Sequence, residues 1–263
     1  MHLFFWITLA LYTLATTLYV ANVLSRSDRV LVAARWVLVV GVACHFLQIG
    51  DLCLQRLNPL ADTGGMLNLT GWVLAGGLVL VGFRCRIAAL GALVVPLALL
   101  LTAAGRIIMT TGEVAKRGAK GLGAIHLTSM ALGVACIALA TGVSVLYLYQ
   151  EGALKRRRLG AINRRLPPLN TLEHLAHRLV TLGFPLFTIA VAFGVAWLTQ
   201  LYGSTGFRIE YAISGAIWLI FAGLIVARST MGWRGRRAAW ATISGFLGIV
   251  VVVVIYAVRR AGG

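Results

Sequence analysis

The sequence predicts an all-α fold, a polytopic bundle of about eight transmembrane helices. Of its 263 residues, 60% are hydrophobic and 12% are charged, whereas soluble domains are roughly 45–50% apolar and about 25% charged. The hydrophobic residues form unbroken runs of helical length, and basic residues are concentrated in the connections between them. No water-soluble core would hide this much apolar surface, so lipid is the expected solvent.

The length and continuity of the apolar runs indicate helices rather than membrane-spanning strands. Barrel strands alternate apolar and polar residues, and these runs do not. A helix satisfies its own backbone N–H and C=O groups, as hydrocarbon requires, and about 20 apolar residues are needed for one crossing. All the spans are expected to form one integral membrane domain, residues 1–263. In chain order they are predicted at residues 3–24, 30–49, 66–83, 87–104, 124–149, 174–201, 209–227 and 238–258.

The basic residues predict the direction of the spans. The net charge is +17, from 24 Lys and Arg against 7 Asp and Glu. Lys and Arg are more frequent in the connections after the first, third, fifth and seventh spans, with the largest group at 155–165. Because such residues favour the cytoplasmic side, both termini are predicted to lie outside a bacterial-type inner (cytoplasmic) membrane. Topology explains the charge, so the bilayer is the expected partner and nucleic acid is not.

Two histidines fall inside predicted spans, where an ionisable side chain indicates function. His45 is near the end of the second span and His126 is near the start of the fifth. These spans run in opposite directions, so both histidines are predicted at a similar depth in the outer leaflet. Two imidazoles at one depth in a helical bundle suit the ligation of haem iron. A hydrogen bond from each ring to a neighbouring backbone group explains them equally well.

Other motifs are less specific. His174 and His177 share one face at the inner end of the sixth span, where they are expected to be solvated at the membrane interface. The basic connection at 151–172 has leucines at helical spacing among its arginines. It fits a short helix on anionic lipid or a solvated loop equally well. The sequence has no Walker A, HExxH or GxSxG motif, which excludes the enzymes that depend on them.

Four segments agree in order and spacing with those of a known family. Residues 124–151 read AIHLTSMALGVACIALATGVSVLYLYQE, which opens with a histidine and a nearby Ser-Met. Residues 167–197 read PPLNTLEHLAHRLVTLGFPLFTIAVAFGVAW, with a Leu-acid pair, Gly-Phe-Pro and Gly-x-x-Trp. Residues 232–248 read GWRGRRAAWATISGFLG, a basic turn before Gly-Phe, and residues 58–72 read NPLADTGGMLNLTGW. These segments resemble the CcsA/ResC family of cytochrome c assembly proteins, in particular its short HemX-like branch.

The resemblance implies haem handling at the outer face of the membrane, for attachment to apocytochrome c. It carries over His126 as a haem-site histidine and His45 as a second one. The family's Trp-Asp-Pro-Lys-Glu run is missing from the corresponding loop at 201–218, and Val226 stands about where the next helix of the family has a histidine. The chain is therefore expected to be an accessory protein rather than a haem-attaching enzyme.

Together, the residues and the resemblance predict a protein that holds haem b near the outer leaflet. His45 and His126 are the predicted iron ligands, and Trp197 and the loop at 201–210 cover the porphyrin. The propionates pair with Arg208, Arg106 or Lys116. Other cytochrome c assembly proteins are further expected partners. The alternative is a membrane scaffold without haem, or a regulator of haem synthesis or cytochrome c maturation, which acts through the basic cytoplasmic loop at 151–172.

Overall fold

The described part of the chain is entirely helical. The computed structural model describes residues 2–25, 27–54, 60, 63–84, 88–108, 121–157, 166–202 and 209–261. Within these ranges there are eight α-helices and no strands, and each helix is long and apolar enough to cross a membrane. The helices are α1 (His2–Ser25), α2 (Asp28–Leu54), α3 (Thr63–Arg84), α4 (Ala88–Ile108), α5 (Leu122–Lys155), α6 (Leu169–Tyr202), α7 (Ile209–Thr230) and α8 (Arg236–Ala261).

The eight predicted spans are confirmed, and every helix is longer than its predicted apolar run. The difference is greatest for α5, and α5 and α6 are the longest helices, with 34 residues each. At 1.5 Å per residue they are about 51 Å long, which exceeds a hydrocarbon thickness of about 30 Å. Their ends therefore continue in polar sequence, where Glu151 and Lys155 form an i,i+4 ion pair at 2.7 Å between Oε1 and Nζ.

The chain divides into two compact units. The first consists of Met1–Lys120 and Tyr149–Pro168, and the second of Gly121–Leu148 and Leu169–Gly263. Helix α5 contributes to both, because the division falls within it after Leu148. The single membrane domain expected from the sequence stays a prediction.

In the first unit, α1 packs against α2 and α4, and α3 packs against α2 and α4. Small residues allow the closest approach. A Cβ added at Gly105 of α4 would lie 2.7 Å from the Gly64 carbonyl oxygen of α3, so these backbones are almost in contact, as is common between membrane helices. The fully buried side chains of this unit include a polar one, His45, beside the aromatic ring of Tyr12.

In the second unit, the crossing of α5 and α6 is set by two glycines. A Cβ added at Gly133 would lie 3.0 Å from the Phe187 backbone nitrogen, and one added at Gly183 would lie 2.9 Å from the Cβ of Cys136. Only glycine lets the two helices approach this closely. Because the helices are antiparallel, residues equally far from the crossing face each other. The buried rings of Phe187 and Phe221 fill the core behind it.

Helix α6 contains a proline, Pro185, close to its midpoint. Proline has no backbone N–H, so the carbonyl of Thr181, four residues earlier, lacks its helical donor. The helix nevertheless continues to Tyr202. Membrane helices tolerate a missing backbone hydrogen bond of this kind within a packed bundle.

Candidate functional site

His126 lies near the start of α5 and is anchored to α6. Its Nδ1 is 2.6 Å from the carbonyl oxygen of Ala190. A carbonyl only accepts, so Nδ1 donates its proton, and in the neutral imidazole the lone pair is then on Nε2. No described residue hydrogen-bonds Nε2. A histidine held by a backbone carbonyl through one nitrogen, with the other nitrogen open, has the arrangement of a metal ligand.

The helix register brings the imidazole to this carbonyl. His126 precedes Gly133 by seven residues, and Ala190 follows Gly183 by seven, so both lie two turns from the α5–α6 crossing. The close approach at the two glycines therefore determines which backbone carbonyl the imidazole can reach.

Gly194 and Trp197 complete the surroundings of the ring. A Cβ added at Gly194 would lie 2.7 Å from Nδ1 and Cε1 of His126, so the imidazole occupies space that any other residue would fill. The rings of His126 and Trp197 have centroids 6.1 Å apart and planes inclined by 38°. Both side chains are partly exposed. The result is a half-open site with an unused nitrogen and a flat aromatic wall.

The substitution Gly194→Ala tests this packing. The added methyl group is expected to displace the imidazole and to weaken its bond to Ala190, with a loss of stability of about 1–3 kcal/mol typical of overpacking. Nitrogen-15 NMR of histidine-labelled protein would report the loss of a single fixed tautomer, and detergent unfolding would report the stability. The matched control is Gly223→Ala on α7, where a Cβ meets nothing within 4 Å. Equal effects of the two substitutions would contradict the assignment.

His45 has a different environment, in the core of the first unit. It is fully buried, and its Nδ1 lies 3.1 Å from the hydroxyl of Tyr12. Its Nε2 lies 3.1 Å from Oδ1 of Asn68, and Oδ1 also accepts a 3.4 Å bond from Nε2 of Gln48. Because Oδ1 only accepts, Nε2 of His45 is the protonated nitrogen and Nδ1 accepts from Tyr12. Both ring nitrogens are therefore engaged.

The predicted site residues thus have different positions. His126 and Trp197 are brought together in the second unit, as predicted. His45 belongs to the first unit, and its pairing with His126 stays a prediction. Arg208 lies outside the described residues. Sequence reasoning missed Ala190 and Gly194, because a backbone carbonyl and a missing side chain leave no chemical motif.

The polar partners of His45 were also missed. Asn68 is a buried amide within a predicted span, and such a residue is expected to need a partner. Tyr12 is 33 residues from His45 along the chain and Asn68 is 23. The presence of a buried amide was visible in the sequence, but the identity of its partner required the packed helices.

The helical fold and its composition define an integral membrane protein. The family model described as cytochrome C assembly protein matches residues 2–261. The chain belongs to the cytochrome c assembly protein family, as its four segments predicted.

Several relatives are proteins named cytochrome c biogenesis protein CcsA. That of Trichormus variabilis is 38% identical over 94 residues, which cover 35% of this chain and 26% of the relative. That of Crocosphaera subtropica is 34% identical over 110 residues, or 41% of this chain and 32% of the relative. The alignments thus span about a quarter to a third of these relatives. No solved structure matches the chain.

Proposed function

We propose that this protein binds or handles haem in cytochrome c assembly, with His126 as the iron ligand. The observation that carries the proposal is the state of the His126 ring, whose Nδ1 is fixed on Ala190 while Nε2 has no described partner. Family membership supports the role in cytochrome c maturation. The proposal keeps the predicted location, near the outer leaflet of a bacterial-type inner membrane, and the predicted cofactor, haem b.

The described residues fit a haem group. His126 offers an imidazole nitrogen in a fixed orientation, and its bond to a carbonyl increases the basicity of that nitrogen. Trp197 offers an aromatic face suited to packing against a porphyrin. Arg208, outside the described residues, keeps its predicted role as a partner of a propionate. When bound, haem supplies the iron porphyrin that cytochrome c maturation consumes, and the chain supplies an anchor and a partly apolar wall.

His45 is less suited than His126 to bind iron, because both of its ring nitrogens are already hydrogen-bonded. Either of its nitrogens would have to give up a hydrogen bond inside a closed core before it could bind iron, and leaving a buried group unpaired costs about 1–3 kcal/mol. We therefore propose that His126 is sufficient to hold the iron on the protein side, and that His45 has a structural role. The paired ligation predicted from the sequence is the alternative, and spectra of the variants separate the two.

A haem-loading experiment tests the proposal. The full chain, purified in detergent, would be titrated with haemin and its absorption recorded in the oxidised and reduced states. We expect a saturable Soret band that approaches one haem per chain. If loading gives only the spectrum of haem free in detergent micelles, the proposal is wrong.

A second function is favoured by the exposed end of α5. Lys155, Arg156 and Arg157 are all exposed where the helix ends, and they begin the basic connection at 151–172. Such a segment suits a membrane scaffold or regulator that binds an acidic partner or anionic lipid. Residues 158–165 of this connection lie outside the described residues. Co-purification of an assembly protein that is lost on substitution of the arginines at 156–158, in protein without haem, would favour this alternative.

A further inference from the structure

The second unit has a cleft with apolar and polar walls at the end where α7 terminates and α6 and α8 begin. Its walls include Ser144, Glu173, His177 and Arg228, and it contains a cavity of about 20 Å³. A cavity of this size holds one group as large as a water molecule. Gly235, directly before α8, also lines the cleft, and an added Cβ there would lie 2.7 Å from the hydroxyl oxygen of Tyr147. This cleft uses none of the residues of the His126 site.

Ser144 is the unusual side chain of the cleft. It is 1% exposed, and its hydroxyl has no hydrogen-bond partner among the described residues. Other hydroxyls in the same unit follow the usual helical pattern, since Thr141 donates to the carbonyl of Ile137 and Thr242 to that of Ala238. A buried hydroxyl without a partner is costly. Because Ser144 lines the cavity, a polar group bound there would remove the cost.

The charges around the cleft determine the sign of that group. Glu173 and Arg228 form an ion pair with 3.0 Å between Oε1 and Nη2, and their side chains are 17% and 12% exposed. The guanidinium has five N–H donors, so this contact leaves others free. His177 is within electrostatic reach of both, and also of His174 and Arg234. The cleft itself is lined by one guanidinium and one carboxylate. Arg234 lies outside the lining but acts on His177 as Arg228 does, so two guanidinium groups oppose one carboxylate around that imidazole.

We infer that this cleft binds an anionic phosphate group, with one phosphate oxygen in the cavity lined by Ser144 and Arg228. Phosphate oxygens are strong acceptors, which suits a hydroxyl and a forked guanidinium that both have donors to offer. Glu173 keeps its ion pair and holds the guanidinium in place. The phosphate comes from a lipid headgroup at the helix ends or from the aqueous phase, and the two sources share this chemistry. The inference does not depend on haem binding.

Thermal unfolding of the full chain in detergent, purified without added haem, tests the inference. The additives are dioctanoyl phosphatidylglycerol, inorganic phosphate, and sodium chloride at matched ionic strength. We expect a phosphate ligand to raise the midpoint by roughly 3 °C. Without ligand, the variant Ser144→Ala is expected to be at least as stable as the unsubstituted protein, because it lacks the unpaired hydroxyl. With ligand, it is expected to lose most of that rise. Ser244→Ala is the matched control, because Ser244 is exposed on α8 and bonds its own helix.

The additives distinguish the two sources. A rise with phosphatidylglycerol alone assigns the site to lipid, and a rise with both ligands assigns it to phosphate from either source. Arg228→Lys is a second variant, which keeps the charge opposite Glu173 but removes the forked donors, and it is also expected to reduce the rise. The inference is overturned by a rise no larger than that with sodium chloride. It is equally overturned if Ser144→Ala and Arg228→Lys both retain the full rise.

Discussion

The substitution His126→Ala is expected to reduce haem affinity at least about 100-fold, since loss of a partner that merely orients a ligand already costs about 10–100-fold. His45→Ala is expected to leave the affinity of the folded protein nearly unchanged. The physical reason is that Nε2 of His126 has no described partner, whereas both nitrogens of His45 are hydrogen-bonded in a closed core. Haem titration followed at the Soret band measures both affinities.

Two further variants make this test specific. Imidazole added to His126→Gly is expected to restore the spectrum, because free imidazole can occupy the space that the ring leaves beside Gly194. His177→Ala is the control, a partly buried histidine on α6 of the same unit that is not part of the His126 site. If folded His45→Ala loses as much haem affinity as His126→Ala, paired ligation is supported and the structural role of His45 is wrong.

Substitution of Asn68 by leucine is expected to destabilise the first unit by about 1–3 kcal/mol. Leucine keeps most of the volume but removes Oδ1, which accepts bonds from both His45 and Gln48. Unpaired buried donors cost about 1–3 kcal/mol each in water-soluble proteins, but hydrogen bonds between membrane helices average only about 0.6 kcal/mol, with a maximum near 1.7. Two donors at the membrane value, plus imperfect packing, give the expected range. Unfolding by SDS in mixed micelles measures it.

Gln48→Leu provides the comparison within the same polar cluster. Its amide donates a long bond of 3.4 Å, and its Oε1 is buried without a described partner. Removing this side chain therefore loses a weak bond and also removes an unsatisfied oxygen, so the net cost is expected to be below about 1 kcal/mol. A cost for Gln48→Leu as large as that for Asn68→Leu would contradict the central position of the Asn68 oxygen.

The spans could be predicted from the sequence because the hydrocarbon acts on each segment separately. A run of apolar residues long enough to cross must be helical, whatever its neighbours are. The helix ends could not be predicted in this way. Outside the hydrocarbon, α5 continues through Glu151 and Lys155, where local pairing rather than hydropathy decides the length.

The sequence predicted which side chains belong to the candidate site, but not how the His126 imidazole is held. His126 was predicted from its position inside a span and then from the family resemblance, and Trp197 was predicted beside it. The structure adds the reason why the imidazole has a fixed orientation. That reason is the alignment of α5 with α6, which is fixed where Gly133 and Gly183 allow the two helices to touch. The spacing of residues along a single helix does not reveal this alignment. The two histidines looked equivalent along the chain, since depth in the membrane does not reveal which polar side chains surround a ring.

Pro185 makes α6 easier to bend at its midpoint than a helix with all its backbone hydrogen bonds. The backbone hydrogen bond that Pro185 cannot donate lies between two parts of α6. One part carries Glu173 and His177, and the other carries Ala190 and Gly194. Bending at this point takes less energy than bending an intact helix, because one hydrogen bond has already been given up. A tilt of a few degrees is magnified with distance from Pro185, and a 2.6 Å bond is sensitive to small displacements. The strength of the hydrogen bond between His126 Nδ1 and the Ala190 carbonyl oxygen thus depends on the bend angle of α6.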